Sequence, residues 1–364
     1  MRLASFNVEN FFSRVRAMNQ DELAEGRPIL EEYARVNVRL QKPVYNAADK
    51  KAILASLKAL GLDKATESKW AYLRENRGHL IKKGAIVAGG RGDWTGWVEL
   101  KKEVVNETAT KMTARVIKDV RADVLAIVEA EDRPTLNHFN DVLLRPIAAD
   151  YRQIMLIDGN DERGIDVGML TRPGFAIESI VSHVDDAGGD GKPVFSRDCP
   201  EYRIRTNDAT VLVLVNHLKS KGFGSQAESN ARRKAQAKRV REIYAQRRAE
   251  GAELIAVVGD MNDTPDSDPL SPLFDNGSDL KDITTHPNFV SDGRPGTYGN
   301  GAKSNKIDYI LLSPKLYSGV TGGAIWRRGV WGGTNGDLFP HYPEITAATK
   351  AASDHAAIYA DLDV

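Results

Sequence analysis

Residues 254–265 read LIAVVGDMNDTP. Residues 254–258 are apolar at every position, which is the pattern of a central strand covered on both faces. The run breaks at Gly259, and Asp260 and Asn262 follow on alternate positions, so both can enter one pocket at the strand's end. There an aspartate can take a proton from water, and an asparagine can hold a phosphoryl oxygen without charge repulsion. An ordinary Asx-rich turn has the same letters. The functional reading gains weight only if other strands end in the same way.

They do. Short β-type runs recur at 2–8, 124–128, 153–157, 166–171, 177–181, 210–216, 254–259, 306–312 and 356–362, with helical patterns at 106–120, 133–144 and 229–249. This alternation predicts an α/β or α+β fold whose sheets are buried under helices. Residues 13–105 break the pattern. They read as two helical pieces, 48–60 and 64–77, followed by a glycine-rich passage over 84–100 that suggests a tight turn or hairpin between two short strands, and no Pro/Ser-rich linker bounds them. The expectation is one catalytic domain over 1–364 with an insertion at about 13–105.

Several strand ends carry chemistry. Asn7 closes the opening strand. The run DVLAIVEAED delivers Glu129, a candidate hard-metal ligand, with Glu131 two residues on. VLVLVNHLKSK ends in Asn216 and His217 with Lys219 and Lys221 behind, a set suited to a phosphate. Asp308 interrupts the apolar KIDYILL, and Ser353-Asp354-His355 precede the last strand. Arg163 and Asp166 in RGIDVGML, and Arg197 in FSRDCP, approach strand ends as candidate phosphate contacts. In the insertion, RGDWTGW offers Trp94 or Trp97 to stack on a base or cap a ligand. Residues 232–248 carry eight basic residues and one acid; Ala237, Val240 and Tyr244 would face the core, leaving either a solvated face or a ridge for a phosphate backbone.

Composition bounds these readings. With 364 residues, 41% of them hydrophobic and 27% charged, the chain can build a large core and is not a disordered polyelectrolyte. No run approaches the roughly 20 apolar residues of a membrane span. Fifty basic residues balance fifty acidic ones, so a polyanion must be held locally, not by a global field. The single cysteine, Cys199, cannot form an internal disulfide. The N-terminus has no apolar stretch of signal-peptide length, which makes a cytoplasmic location the default, with secretion after removal of a leader as the alternative. No obligate protein partner is evident.

Taken in order, SFNVENFF, DVLAIVEAE, NHLKSK, GDMNDTP, KIDYIL and SDH resemble the strand-end motifs of the endonuclease/exonuclease/phosphatase superfamily, the deoxyribonuclease I-like fold. The resemblance covers about 1–10 and 122–364. It implies a four-layer sandwich of two stacked sheets, with a cleft at one end in which a divalent ion, usually Mg²⁺ with Mn²⁺ an option, supports phosphoester cleavage. Asn7, Glu129 and Asp354 would bind or orient the metal. Asp260 would orient or deprotonate water, and Asn262 would hold the phosphate. His217 and His355 would stabilise phosphoryl charge or assist the leaving group, with Asp308 orienting them; which histidine is the acid stays open. Between Asn7 and Glu129 lie 121 residues, where compact relatives have a few tens. The resemblance implies a nuclease or phosphodiesterase acting on nucleic acid, or else a phosphatase or phosphodiesterase for small or lipid phosphoesters.

Overall fold

The computed structural model describes residues 1–11, 13–17, 23–161, 163–221, 225–275 and 277–364. They divide into two compact units: Met1–Phe12, Asn106–Lys221 and Ala227–Val364 in one, Ser13–Val105 and Gly222–Gln226 in the other.

The larger unit holds two mixed sheets. The first orders its strands Phe289–Val290, Val320–Trp326, Ala357–Leu362, Arg2–Asn7, Val124–Ala130, Asp166–Thr171 and Gln153–Ile157. The second orders Ala176–Val181, Glu201–Arg205, Thr210–His217, Ile255–Asp260, Asp308–Leu312 and Lys281–Asp282. Each has a central parallel pair, Arg2–Asn7 with Val124–Ala130 and Thr210–His217 with Ile255–Asp260, and the first has a second at its edge, Phe289–Val290 with Val320–Trp326. The all-apolar runs are explained by burial on both faces. Val124, Ala126 and Val128 pack on the second sheet's Val211, Val213, Val215 and Val258. Their alternates face outward, Leu125 and Ile127 under the helix Glu107–Val120, and Leu212, Leu214 and Val257 under the helix Gln226–Ala249. This is the expected four-layer sandwich.

The caps follow the sequence. Asn106 accepts from Thr108 N at 2.9 Å, and Asp132 accepts from Thr135 N at 2.7 Å ahead of Arg133–Phe139. On Gln226–Ala249, Ala237, Val240 and Tyr244 are buried as expected, but the basic residues are not a free ridge. Arg233 is buried against Asp263, Arg239 pairs with Asp186, Arg247 with Glu201 at the start of its strand and Lys234 with Asp268. Cys199 is buried with its thiol pushed well up by desolvation, which makes it a packing residue. Among the described residues no helix is long and apolar enough to cross a membrane.

In the smaller unit the helix expected at 48–60 is present as Ala47–Ala59, closed by a capping box between Asn46 and Asp49. A further helix, Leu23–Leu40, was not anticipated. The helix expected at 64–77 is instead a turn followed by the strand Ala71–Arg77, and the glycine-rich passage forms a tight turn at Gly90–Asp93 between the strands Ala85–Ile86 and Thr95–Leu100, which do not pair with each other. Thr95–Leu100 pairs with Ala71–Arg77, and Ala85–Ile86 pairs with Ile81–Lys82. Alternation in Ala71-Tyr72-Leu73 and in Gly96-Trp97-Val98-Glu99-Leu100 buries one face of this ribbon with Leu57, Leu60 and Trp94. Tertiary burial of that face overrides local helix propensity.

Candidate active site

Ladder register sets up the site. In the second sheet His217 lies opposite Asp260, and Asp260 opposite Asp308, so three titratable side chains stand abreast where their strands end. All three follow the parity of Val215, Val258 and Ile310 and so emerge on the face that meets the first sheet. From that sheet Asn7, in step with Leu3, points to the same end.

Glu129 arrives differently. Its alternation with Val128 would send it to the outer face, but it is the extra residue of a β-bulge, since Val128 pairs with Val167 and Ala130 with Asp166. Its φ of 66° is left-handed, which re-aims the carboxylate. Glu9, Asn10 and Asn262 are also left-handed, at 52°, 53° and 55°. Non-glycine residues held there are strained by about 1 kcal/mol or more each, and such strain concentrates at functional sites.

The side chains converge. Asn7 Nδ2 donates to Asp260 at 3.2 Å and lies 3.5 Å from His355 Nε2, while Asn7 Oδ1 accepts from Glu9 N at 3.0 Å. His217 Nε2 lies 3.6 Å from Glu129 and 3.7 Å from Asp260. His355 Nδ1 contacts Asp308 at 2.8 Å, and Thr297 Oγ1 donates to that same carboxylate at 2.6 Å. His355 Nε2 stands 4.0 Å from Asp260 and 3.7 Å from Asp354. Ser353 Oγ donates to Asn7 O at 2.8 Å, tying the last motif to the first.

Electrostatics sort these groups. Burial, and then the charge of Asp308, push Asp260 up to about 7. Burial would lower His355, but Asp308 and Asp354 overturn it and hold the ring well above its ordinary range. His217 is driven well below its ordinary value by burial, then by Arg197 and Arg163. One imidazole is therefore neutral and the other charged. The donor set, with Glu129, Asp260, Asp308 and Asp354 around two histidines, is oxygen-rich and crowded with like charge, which fits a hard divalent cation. Asp260, Asp308 and His355 each offer an atom within 4.8 Å of the others. As placed, Asn7 shows its amide nitrogen to the carboxylates and its oxygen to Glu9 N, an orienting geometry.

Beside His217 lies a cationic cluster. Arg163 and Arg197 both bind Asp161, at 2.7 and 3.1 Å, and these arginines hold that carboxyl far below its usual range against the opposing effect of burial. Lys219 is lowered to about 8 by burial and then by the same two arginines. Asp166 is buried, accepts from Gly159 N at 2.7 Å, and is raised to about 7 by burial and its acidic neighbours. It shapes the loop that carries Asp161. Asn262 donates from Nδ2 to Leu218 O at 3.1 Å and from its backbone to Asp260 at 2.8 Å, so it braces both strand ends.

Two expected contacts are corrected. Asn216 does not join His217 in the site. It shares the parity of Leu212 and Leu214, is buried on the helix-covered face, and donates to Leu214 O and Val258 O. Trp94 cannot stack on a ligand, because it is fully buried with its indole donating to Tyr45 at 3.1 Å. Sequence reasoning missed Asn10, which donates to Glu129 at 3.2 Å, as well as Thr297 and Asp161. Asn10 sits in the quoted SFNVENFF and was within reach; Thr297 and Asp161 lie in loops without a pattern.

Arg197 is held in place from behind. Its loop is pinned by His183, whose ring nitrogens meet Asp186 and Glu201 at 2.8 Å each, while Arg239 and Arg247 bind those carboxylates and Asp198 accepts from His183 N. Burial opposes a charged ring, yet Glu201 and Asp186 raise the pKa of His183 above 6.5. A raised histidine stabilises the fold fully below its unfolded pKa, and that contribution disappears as pH climbs through the folded value. His183→Leu is therefore expected to lower stability by about 2 kcal/mol at pH 6. Thermal melts should show the gap narrowing as pH rises beyond the ordinary histidine range; a gap independent of pH would contradict a charged clamp.

Two face-to-face mixed sheets whose strand ends gather Asn, Glu, His, Asp and Asp-His define the deoxyribonuclease I-like class. Within it, the model of the Endonuclease/Exonuclease/phosphatase family matches residues 106–355, and the chain belongs to that family, whose members are divalent-metal-dependent hydrolases of phosphoesters. A comparison with curated proteins finds no match. Similar solved structures include a mannosyl-6-phosphatase of Bacteroides thetaiotaomicron, at 17% identity and a TM-score of 0.50, covering 71% of this chain and 92% of that one. The human Nocturnin catalytic domain with bound sulfate anion is 15% identical with a TM-score of 0.50, covering 72% and 88%. An endonuclease/exonuclease/phosphatase from Bacteroides vulgatus is 17% identical with the same TM-score, covering 70% and 90%. At these identities the likeness concerns the fold.

Proposed function

We propose that this chain is a Mg²⁺-dependent nuclease or phosphodiesterase that cleaves nucleic-acid phosphodiesters by attack of water, in one catalytic domain interrupted at about 13–105. The observation that carries the reading is the buried convergence of Asn7, Glu129, His217, Asp260, Asp308 and His355 at one end of the two sheets. Glu129 and Asp354 would hold the cation, with Asn7 orienting the carboxylates about it; when bound it supplies Lewis-acid neutralisation of developing phosphoryl charge.

The protein's own groups do the rest. Asn7 and the Asn262 backbone hold Asp260 in one rotamer, so that its carboxylate is aimed at an incoming water and can accept its proton. His355, held by Asp308 as an imidazolium, presents Nε2–H to the phosphoryl oxygens. His217, neutral and buried, offers a donor beside Glu129 without adding charge. Arg163, Arg197 and Lys219 bind the flanking phosphate.

That last cluster also favours a second reading, in which three cations around one carboxylate hold a terminal phosphomonoester dianion of a small molecule. A single panel decides: plasmid, single-stranded DNA, RNA, a bis-aryl phosphodiester and an aryl monoester, with Mg²⁺ or Mn²⁺ and with EDTA. Cutting of polymers that stops in EDTA is the expected result. Turnover of the monoester alone would replace the first reading with the second, and undiminished cutting in EDTA would remove the metal from both.

A further inference from the structure

Overall neutrality conceals a segregation of charge. Residues 13–105 contain 18 lysines and arginines against 12 acids, an excess of six. Because the whole chain balances fifty with fifty, the remainder carries six net negative charges. The smaller unit is thus the basic part of an otherwise acidic protein, a polarity suited to a polyanion.

Its ribbon concentrates this character on one face. The strands Ala71–Arg77 and Thr95–Leu100 turn Ala71, Leu73, Val98 and Leu100 inward. Their outward pairs are Tyr72 with Glu99, Arg74 with Trp97 and, beyond a bulge, Arg77 with Thr95. Trp97 is 42% exposed and is the one Phe, Tyr or Trp in the exposed class among the described residues. Cations already sit on aromatic rings here: Arg74 lies 4.2 Å from the Tyr72 centroid, Lys101 lies 4.8 Å from it, and the neighbouring Lys69 lies 4.1 Å from the Trp70 ring. The acids on this face are engaged, Glu99 by Arg74 at 2.8 Å and Glu67 by Lys101. The Arg74–Glu99 pair is exposed on both sides, so it is worth little and leaves Arg74 open to exchange for a phosphate.

We propose that this ribbon face is a binding platform for single-stranded nucleic acid, with Trp97 stacking on a base and the exposed Arg74 and Arg77 taking the adjacent phosphates. A flat aromatic flanked by guanidinium groups reads unpaired bases by their faces, which duplex DNA hides in its stack. The platform deepens the nucleic-acid reading above and rests on it for the choice of ligand. It gives the basic segment a task separate from catalysis, which is to hold the polymer.

The test measures anisotropy of a labelled 20-nucleotide single strand against the full-length protein in EDTA, where nothing is cut. Trp97→Ala is expected to weaken binding about tenfold. Trp97→Tyr should restore most of the loss, and Arg74→Gln with Arg77→Gln should flatten the salt dependence by roughly 1.4 in log–log slope. Hydrolysis of a bis-aryl phosphodiester should be unchanged in all three, since none of these residues belongs to the catalytic cluster. Equal binding by wild type, Trp97→Ala and the double arginine variant would overturn the platform, as would a matching duplex bound more tightly than the single strand. The two readings separate cleanly. A protein that binds the strand through Trp97 but cuts no polymer with Mg²⁺ keeps the platform and loses the nuclease, whereas polymer cutting with Trp97-independent binding does the reverse.

Discussion

Asp260→Asn is expected to reduce phosphodiester turnover by at least about 10³-fold while leaving the protein folded, and in EDTA at pH 8 to raise its melting temperature by a few degrees. Loss of activity follows from removing the one carboxylate that Asn7, Asn262 and His217 all surround. The gain in stability follows from linkage. Asp260 is raised to about 7 in the fold from 3.8, so the folded state favours its protonated form; without metal, stability is lost as pH rises between those values. A neutral amide of the same shape relieves that penalty at pH 8. A bound divalent cation should relieve it as well, so Mg²⁺ should raise the melting temperature of the wild type more than that of the variant. Turnover that survives the substitution would remove Asp260 from the chemistry. A melting temperature that falls would mean its charge is already compensated without metal.

The second large effect lies one residue upstream. Gly259→Ala is expected to destabilise the protein by about 3 kcal/mol or more, with little folded protein recovered. Gly259 has a φ of 124°, and a Cβ there would sit 2.0 Å from Asn216 O on the paired strand, where no side-chain motion can relieve it. This clash falls inside the parallel ladder that sets His217 beside Asp260. Chemical denaturation checks it directly, and a variant of wild-type stability would show that the ladder can slip at this point. The glycine of GDMN is thus required by close backbone approach, and only through that by the chemistry.

Much of the larger unit was legible because its strands are buried on both faces, and continuous apolar runs ending in acids, amides or histidines are hard to mistake. Parity within such runs was not. In VLVLVNH both faces are apolar, so nothing in the string says whether Asn216 or His217 turns toward the other sheet; the docked helix Gln226–Ala249 decides it. Glu129 is a similar case, since its direction depends on a bulge that no pattern announces. The tryptophans were decidable. Val98 and Leu100 set an alternation that places Gly96 and Trp94 inside and Trp97 outside, which separates the two candidates. Leu23–Leu40 escaped because Gly26 and Pro28 fall within its first turns, where glycine and proline are usually read as breaks.

The outermost sequence positions meet at the centre of the first sheet. Arg2–Asn7 lies between Ala357–Leu362 and Val124–Ala130, Met1 N donates to Leu362 O at 2.7 Å, and Ser353 reaches back to Asn7 O. The strand bearing Asn7 gains its antiparallel neighbour, and the site gains His355, from chain some 350 residues further along the sequence. The site is in this way completed only by long-range docking: until Ala357–Leu362 pairs with Arg2–Asn7, His355 has no place beside Asn7 and Asp260.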